Sequence, residues 1–524
     1  MRRNRLVKQQ KQELFRGEID PRNPCDWGKK GVSLKPDGKT ICLILEGAYP
    51  YIAGGVSSWL QQLLIVMKDY RFKILTIMAT KDQVTELKYT FPPNVIEFRT
   101  IYLFDFLSMR QTSRHKKIHI TDEEREQLKK FIFFDSSVTW KTIIELICRK
   151  EKIGNTIDFL MSSLFFDELS ELYTDRYQEE GFTIFFWTFR SMLATLISVM
   201  QQPLPEADVY HAISTGYAGL LGVIAKHQYH KPFILTEHGI YAREREEEIL
   251  KADWVQGIYK KLWIDYFYFL SQGAYDTCDI AIALYEHNSK IQKEYGVDKT
   301  RAYVIPNGVD CDGFPKHKDA HEGMNIGAIL RVVPIKDVKT LIKAFRYVHD
   351  AHEDTTLYII GPDEEEEDYA RECRELVTEL DLDHSCIFTG RVNIKKYMPM
   401  LDVIVLTSIS EAQPLVILES YACATPVVAS DVGSCRELVE GDGDGFGSGG
   451  IITKPVSPRE TADAVIYLYE HPEERRQYGL NGLKRAKVLY DRSAVFEAYD
   501  EIYQQTLLKT KGEIEHLSLK LKKG

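Results

Sequence analysis

Short, strand-like apolar runs alternate with helical stretches in two separate blocks of this chain. This alternation is typical of parallel sheets covered by helices, because parallel strands need a crossover between them. In the first block the predicted strands are 40–45, 72–79, 95–102, 207–213, 232–236, 279–284 and 302–305. In the second block they are 324–330, 356–360, 387–389, 402–407 and 426–430. We therefore predict an α/β protein with two doubly wound, Rossmann-like domains facing each other across a ligand-binding cleft.

The two blocks also set the predicted domain boundaries. Residues 1–37 form an N-terminal extension, 38–308 the first Rossmann-like domain and 309–490 the second. Residues 491–524 are a C-terminal helix and polar tail. Residues from about 105 to 200 are helical and mixed in charge, and we interpret them as an insertion into the first domain.

Composition and charge exclude several classes of protein. The chain has 67 Lys and Arg against 77 Asp and Glu, a net charge of -10, and no long basic stretch in its body, which argues against nucleic-acid binding. An apolar fraction of 44% argues against disorder. The nine cysteines are scattered without a Cys-x-x-Cys pair, which indicates a reducing compartment and no zinc site. The basic N-terminus is not followed by an apolar run, so we expect a cytoplasmic protein.

One segment, residues 181–200, reaches the length of a membrane-spanning helix. Arg190 lies at its centre, where a charge in the membrane would cost at least about 2.5 kcal/mol. We interpret the segment as a buried helix of a soluble domain, with a membrane span as the alternative.

The first motif that points to chemistry is the glycine pair Gly54 and Gly55, between the first strand and a helix that begins at Val56. Paired glycines let backbone N–H groups approach a phosphate, and the helix N-terminus attracts the same charge. The stretch is neither Gly-x-Gly-x-x-Gly nor a Walker loop, so an ordinary glycine turn is the alternative.

The second motif places Arg331 and Lys336 between the first strand of the second block and the next helix. Two cations at such a turn can flank a diphosphate, the Arg by a planar fork and the Lys as a point charge. A solvated basic pair on a loop is the alternative.

The third motif contains two carboxylates, Glu411 and Glu419, around a helix start at Pro414. Both are expected on the ligand side, where they can hold sugar hydroxyls, and the amides near Leu415 and Val416 face the cleft. One capping and one exposed acid is the alternative.

Two histidines, His211 and His238, are predicted at adjacent strand ends, where they can hydrogen-bond a sugar or its leaving phosphate. A satisfied structural histidine is the usual alternative for each. Asp-x-Asp triplets also occur, but chance produces them often, so we predict no metal site.

Taken together, GGVSSW, the Arg331 to Lys336 pair, PNGVD and the spaced Glu411 and Glu419 resemble the retaining glycosyltransferases of family 4, which have the GT-B fold. Three stretches, EGAYPYIAGGVSSWLQQLL, TEHGIYAREREEEI and SEAQPLVILES, resemble the PelF-type enzymes of Pel exopolysaccharide and biofilm synthesis. The resemblance implies an acceptor domain followed by a nucleotide-sugar donor domain. The expected donor is a UDP-linked hexose or N-acetylhexosamine, and the acceptor is a growing polysaccharide.

The resemblance also assigns roles to residues. Arg331 and Lys336 would bind the diphosphate and stabilise the leaving UDP, Glu411 would contact the donor sugar, and Glu419 the ribose. The implied catalytic residues are Arg331, Lys336, Glu411 and His238. The implied donor-binding residues are Gly54, Gly55, His211, Asn307, Thr389, Gly390, Leu415, Val416 and Glu419.

The resemblance further implies transfer without a metal or other cofactor, and partnership with a membrane-embedded synthesis and export complex. We favour front-side transfer, in which the departing phosphate takes the acceptor's proton, over double displacement through a carboxylate nucleophile. Two alternatives stay open. One is a related UDP-sugar epimerase or phosphorylase, and the other is a nucleotide-binding but non-catalytic member of the secretion complex.

Overall fold

The computed structural model describes residues 38–509, apart from 48, 53, 82–85, 109–117 and 256. The predicted N-terminal extension and the polar tail after residue 509 lie outside the described residues. Two parallel β-sheets, each covered by helices, dominate the described part and confirm the predicted α/β architecture.

The first sheet has seven strands in the order β3-β2-β1-β4-β5-β6-β7. β1 pairs in parallel with both β2 and β4, with Ile41 opposite Phe72 on one side and Val209 on the other. The strands are β1 (Thr40–Glu46), β2 (Arg71–Met78), β3 (Val95–Tyr102), β4 (Val209–Ala212), β5 (Phe233–Glu237), β6 (Ile280–Ala283) and β7 (Ala302–Val304).

The second sheet has six strands in the order β10-β9-β8-β11-β12-β13, and all its pairs are parallel. Five of the six strands coincide with predicted strands. The sixth, an edge strand of four residues, has no predicted counterpart. The strands are β8 (Met324–Ile329), β9 (Thr355–Ile360), β10 (Cys386–Gly390), β11 (Val403–Leu406), β12 (Val427–Ser430) and β13 (Gly450–Thr453).

The helices of the first domain fall into two groups. Those that cover the sheet are α1 (Gly55–Val66), α8 (Gly216–Gln228), α9 (Tyr241–Lys251), α10 (Ile258–Thr277) and α11 (Glu286–Glu294). Those of the predicted insertion are α2 (Asp122–Ile132), α3 (Trp140–Ile147), α4 (Lys150–Ile153), α5 (Thr156–Leu160), α6 (Ser163–Arg176) and α7 (Phe182–Met200).

The second half of the chain continues with the helices α12 (Val338–Ala351), α13 (Glu367–Glu379), α14 (Ile394–Tyr397), α15 (Leu415–Ala422), α16 (Cys435–Glu440), α17 (Pro458–Glu470), α18 (Pro472–Leu489) and α19 (Arg492–Lys509). Short 3₁₀ helices lie at 105–108, 311–313, 334–336 and 398–400.

The insertion packs on one face of the first sheet and shares a single hydrophobic core with it. Its longest helix, α7, is long and apolar enough to cross a membrane, but its C-terminal half is buried in this core. Trp187 stays half-exposed near the N-terminal end, with the Arg190 guanidinium 5.1 Å from its ring centroid. In this fold α7 is therefore a core helix, as the sequence interpretation expected.

The last helix, α19, returns to the first domain. Its buried face, which includes Phe496, Tyr499 and Tyr503, packs in one core with α1 and the second face of the first sheet. The chain thus crosses between the domains twice. The two crossings touch, because Val309 and Asp491 form a parallel bridge.

Candidate active site

A cleft of about 670 Å³ lies between the domains. Open α/β sheets bind ligands where the strand order reverses, which is between β1 and β4 in the first sheet and between β8 and β11 in the second. Loops at both points line the cleft. The lining comprises Ile52, residues 54–57, His238, Leu284 and Asn307 from the first domain and the first crossing, and residues 329–331, Lys336, 360–362, 391–392, Ile394, Leu406 and 411–416 from the second domain.

The predicted catalytic pair Lys336 and Glu411 meets at the centre of this cleft. Lys336 Nζ lies 2.5 Å from Glu411 Oε1, and the Ser408 hydroxyl donates to the same oxygen at 2.7 Å. Both charged side chains are largely shielded from solvent. The Thr407 hydroxyl donates to the backbone oxygen of Lys336 at 3.1 Å, which ties the lysine loop to β11. The cation is therefore held in position by the loop after β11, which also carries the carboxylate.

The predicted phosphate ligand Arg331 lies on the same wall, directly after β8. Its Nη1 donates to both carboxylate oxygens of Glu365, at 2.5 and 2.6 Å, and both side chains are about half-exposed. The two predicted cations thus both reach the cleft, and each has a carboxylate partner.

Two helix N-termini meet across the cleft. Gly54 and Gly55 begin α1 from the first domain, and Leu415 and Val416 begin α15 from the second. A Cβ on Gly55 would lie 3.9 Å from the Leu415 Cδ1 atom, an ordinary van der Waals contact, so the two helix starts approach each other closely here. Neither helix has a side-chain cap at its start, which leaves the positive helix ends available to an anion.

Asn307, at the first crossing, is buried against the α15 loop. Its backbone N–H donates to Gln413 Oε1 at 2.5 Å, and its Nδ2 donates to the Gln413 backbone oxygen at 3.2 Å. Its Oδ1 atom is buried without a hydrogen-bond partner among the described residues. Sequence reasoning did not assign Gln413 to the site, although it lies between the predicted Glu411 and Leu415.

His238 follows β5 and reaches the cleft. Its ring meets Trp59 edge-on at 4.8 Å, and its buried Nε2 has no hydrogen-bond partner within the described residues. Burial lowers the pKa of His238 to about 4, so the ring is neutral at pH 7. A neutral imidazole with a free nitrogen can donate to, or accept from, a sugar hydroxyl.

His211 lies elsewhere, and the predicted donor contact does not fit its position. Its side chain is fully buried in β4, behind the cleft. Its Nδ1 is 2.7 Å from the Tyr503 hydroxyl and its Nε2 is 2.8 Å from the Thr236 hydroxyl. Both ring nitrogens are thus used inside the core, and burial lowers the pKa of His211 to about 3. His211 is therefore a buried structural histidine with both ring nitrogens hydrogen-bonded, which was the alternative to the donor-binding prediction.

Thr389 and Gly390 end β10, one step behind the cleft wall. The Thr389 hydroxyl donates a hydrogen bond to the Gly390 backbone oxygen at 3.0 Å. The residues that line the cleft here are the next two, Arg391 and Val392. Of the stretch 389–391 that the resemblance implies near the base, Arg391 therefore lines the cleft, and Thr389 and Gly390 adjoin it.

Glu419 lies on α15, one turn beyond the residues that line the cleft. Burial raises the pKa of its carboxyl to about 7, and nearby Lys395 acts in the opposite direction. Its predicted role toward the ribose stays a prediction.

A second chamber of about 540 Å³ opens from the same centre. It shares Arg331, Lys336 and Glu411 with the cleft, and much of its remaining wall comes from the first domain. That wall includes Glu244, Glu247 and Glu248 on α9 together with Tyr285, His287 and Asn288 before and on α11. Across the described part of the chain, no cluster of three or more His, Cys, Asp or Glu side chains could hold a metal ion.

Two family descriptions match adjoining parts of the chain. Residues 39–300, half of the chain, match Domain of unknown function (DUF3492), and residues 314–485 match Glycosyl transferases group 1. The chain belongs to the DUF3492 family, and its residues 314–485 form a group 1 glycosyltransferase domain. The enzyme's second domain carries both the Lys336–Glu411 pair and the group 1 match.

Known glycosyltransferases are similar over part of the enzyme. It is 28% identical over 234 residues to the D-inositol 3-phosphate glycosyltransferase of Kineococcus radiotolerans, covering 41% of this chain and 54% of that protein. It is 24% identical over 313 residues to the MMP alpha-(1->4)-mannosyltransferase of Mycolicibacterium hassiacum, covering 58% and 72%. The chain thus spans about half the length of the first relative and about three quarters of the second.

A solved structure confirms the GT-B fold of this glycosyltransferase. HepE from Anabaena, crystallised in complex with UDP, superposes with a TM-score of 0.54 at 16% identity. The match covers 88% of this chain and 99% of HepE. At this identity the likeness concerns the fold alone.

Proposed function

We propose that this glycosyltransferase moves a sugar from a UDP-sugar to a growing exopolysaccharide of Pel type, with retention of configuration and without a metal. The observation that carries the proposal is the Lys336–Glu411 pair at the centre of the interdomain cleft, 2.5 Å apart. The complex of HepE with UDP supports a uridine nucleotide as the donor. The three stretches that resemble PelF-type enzymes support the choice of polymer.

In the proposed complex the diphosphate lies against Arg331, Lys336 and the N-terminus of α15. Cations and a helix N-terminus stabilise the charge that develops on the leaving UDP. This arrangement supplies the positive charge that a divalent metal would otherwise provide. The donor sugar then lies toward Glu411 and His238.

Glu411 suits a role in holding the sugar better than a role as nucleophile. Its Oε1 already accepts from Lys336 and Ser408, and both bonds draw electron density from the carboxylate. We therefore favour front-side transfer, in which the O–H proton of the acceptor passes to the departing phosphate oxygen as the new glycosidic bond forms.

The acceptor end of the polymer is proposed to lie in the second chamber, which opens onto Lys336 and Glu411. The Tyr285 ring and the Asn288 amide offer it the surfaces and hydrogen bonds that sugars use. The chamber wall carries both signs of charge, Glu244, Glu247 and Glu248 beside Arg243 and Lys251, so polar groups of either kind are available to the acceptor.

We further propose that the enzyme works in the cytoplasm, docked to a membrane-embedded synthesis and export complex. Ile184 and Trp187 on α7 support a contact there, with 62% and 56% of each residue exposed. Charged replacements at both positions should release the enzyme from isolated membranes while leaving its activity unchanged. Unchanged membrane recovery would contradict this docking site.

The transfer reaction is tested by incubating the purified enzyme with a panel of UDP-hexoses and UDP-N-acetylhexosamines, with EDTA or Mg²⁺, and oligosaccharide acceptors. Release of UDP together with a lengthened, α-linked product in EDTA would support the proposal. Tight UDP binding without any turnover would favour the non-catalytic alternative.

A further inference from the structure

Glu365, which is not a predicted donor-binding residue, forms an ion pair with Arg331, one of the two cations of the predicted donor site. Arg331 Nη1 contacts both carboxylate oxygens of Glu365 in the ligand-free cleft. Lys336 is paired too, but its partner Glu411 is itself predicted to bind the donor. Glu365 has no such role, and it competes for a group that the donor diphosphate would need.

Glu365 belongs to an acidic loop at the rim of the cleft, residues 363–366, which follows β9 and precedes α13. Gly361 and Pro362, just before this loop, line the cleft. Arg374 on α13 pairs with Asp363 and also lies over the Phe388 ring, 4.3 Å from its centroid, which anchors the start of the loop. Glu365 is therefore presented to Arg331 from a fixed base.

We propose that Glu365 is an affinity-determining residue of the donor site, because it competes with the donor diphosphate for Arg331. The inference rests on the proposed function, in which Arg331 binds the diphosphate. On donor binding, the diphosphate replaces the Glu365 carboxylate at the Arg331 guanidinium. When UDP leaves, Arg331 pairs with Glu365 again. A ligand without phosphate leaves the pair intact.

The expected gain in UDP affinity follows from the solvent exposure of the Arg331–Glu365 ion pair. Both side chains are about half-exposed, and exposed ion pairs contribute about 0.2–1 kcal/mol. Removing the competitor should therefore strengthen UDP binding by about 1.4- to fivefold.

The test compares Glu365→Gln with Glu364→Gln in calorimetric titrations with UDP and with uridine. Glu364 is the matched control, since it is an exposed acid of the same loop and no described residue forms an ion pair with it. Both variants remove one negative charge near the cleft, but only Glu365→Gln removes the competitor. We expect Glu365→Gln to bind UDP about 1.4- to fivefold tighter than Glu364→Gln, with equal affinity for uridine.

Equal UDP affinities for the two variants would overturn the inference, as would an equal gain for uridine. An Arg331→Ala variant separates this failure from failure of the proposed function. If the native enzyme binds UDP and Arg331→Ala weakens that binding, the donor site stands whatever Glu365 does. If Arg331→Ala binds UDP normally, the diphosphate assignment itself is wrong.

Discussion

Among the single residues, Lys336 is the one on which the proposed donor site depends most. Its ammonium is held by Glu411 and by the loop that Thr407 ties to β11. A charge positioned in a partly shielded cleft contributes more to binding an anion than one on the open surface.

Lys336→Ala should lower the rate of sugar transfer at least about 100-fold, since it removes a donor to the leaving phosphate. Lys339→Ala is the control, because that lysine pairs with the exposed Glu372 on the outer surface and should leave the rate unchanged. Circular dichroism and thermal unfolding would show that both variants fold. Transfer by Lys336→Ala at the native rate would refute the assignment.

Glu419 gives a prediction for pH dependence. Burial raises the pKa of its carboxyl from 4.5 to about 7, so the native state favours the protonated form. The stabilisation that this group contributes is complete below pH 4.5 and is lost as the pH rises through 7. Relative to Glu419→Gln, the native enzyme should lose about 1–3 kcal/mol of unfolding free energy between pH 5 and pH 8.

Urea unfolding at the two pH values measures this difference. Comparison at equal pH cancels the contribution of Glu237, another buried acid whose pKa is raised to about 7. Parallel stability curves for the native enzyme and Glu419→Gln would show that Glu419 titrates normally.

Among the elements, the loop 408–414, which carries Glu411, packs against the loop after β12. Gly433 has a φ of +54°, and a Cβ there would lie 1.9 Å from the Glu411 backbone oxygen. The Ser434 N–H also donates to the Ala412 backbone oxygen at 2.9 Å. A glycine distant in sequence therefore sets the position of Glu411.

Gly433→Ala should destabilise the enzyme by more than about 2 kcal/mol and weaken UDP binding, because the added methyl group must displace the Glu411 loop. Gly443→Ala is a matched control, with a φ of +70° but open space around the added Cβ. It should cost about 1 kcal/mol from backbone strain alone and leave UDP binding unchanged. Equal effects of the two substitutions would contradict this argument.

Sequence predicted the strands better than the loops that join them. Twelve predicted strands are present because buried parallel strands are continuous apolar runs. The short edge strand Gly450–Thr453 has only four residues and adjoins a glycine-rich loop, and it was not predicted. In that loop, Asp444 and the Gly447 backbone oxygen are bound by the fully buried Arg485. Such a long-range contact leaves no local signal in the sequence.

The site residues, too, were predicted correctly or not according to where they lie relative to a strand end. Residues next to a strand end, such as Arg331 and His238, reach the cleft because topology brings strand ends together. His211 lies within β4, one residue before its end, and the side-chain alternation of the strand turns it into the core. Of the stretch Thr389-Gly390-Arg391, which the resemblance implies near the base, only Arg391 lines the cleft, because it follows the end of β10.

At the scale of the whole molecule, α19 makes the two domains interdependent. This helix follows the second domain in sequence but completes the core of the first. Tyr503 is fully buried and hydrogen-bonds His211, and Tyr499 meets Trp59 edge-on at 5.3 Å next to the cleft.

Tyr503→Ala should destabilise the first domain by about 3–5 kcal/mol, since it empties a buried ring site and leaves the His211 Nδ1 without a partner. Gln504→Ala, the next and exposed position, should change stability by less than about 0.5 kcal/mol. Chemical unfolding monitored by tryptophan fluorescence compares them. A mild effect at Tyr503 would mean that α19 is an appendage rather than a part of this core.

The most direct test of the central claim is calorimetric titration of the native enzyme and Lys336→Ala with UDP, GDP and ADP, in EDTA and in Mg²⁺. We predict UDP-selective binding to the native enzyme that is the same in both buffers and at least about tenfold weaker in Lys336→Ala. Absence of nucleotide binding by the native enzyme, or equal UDP affinity of the variant, would contradict the assignment of the interdomain cleft as the donor site.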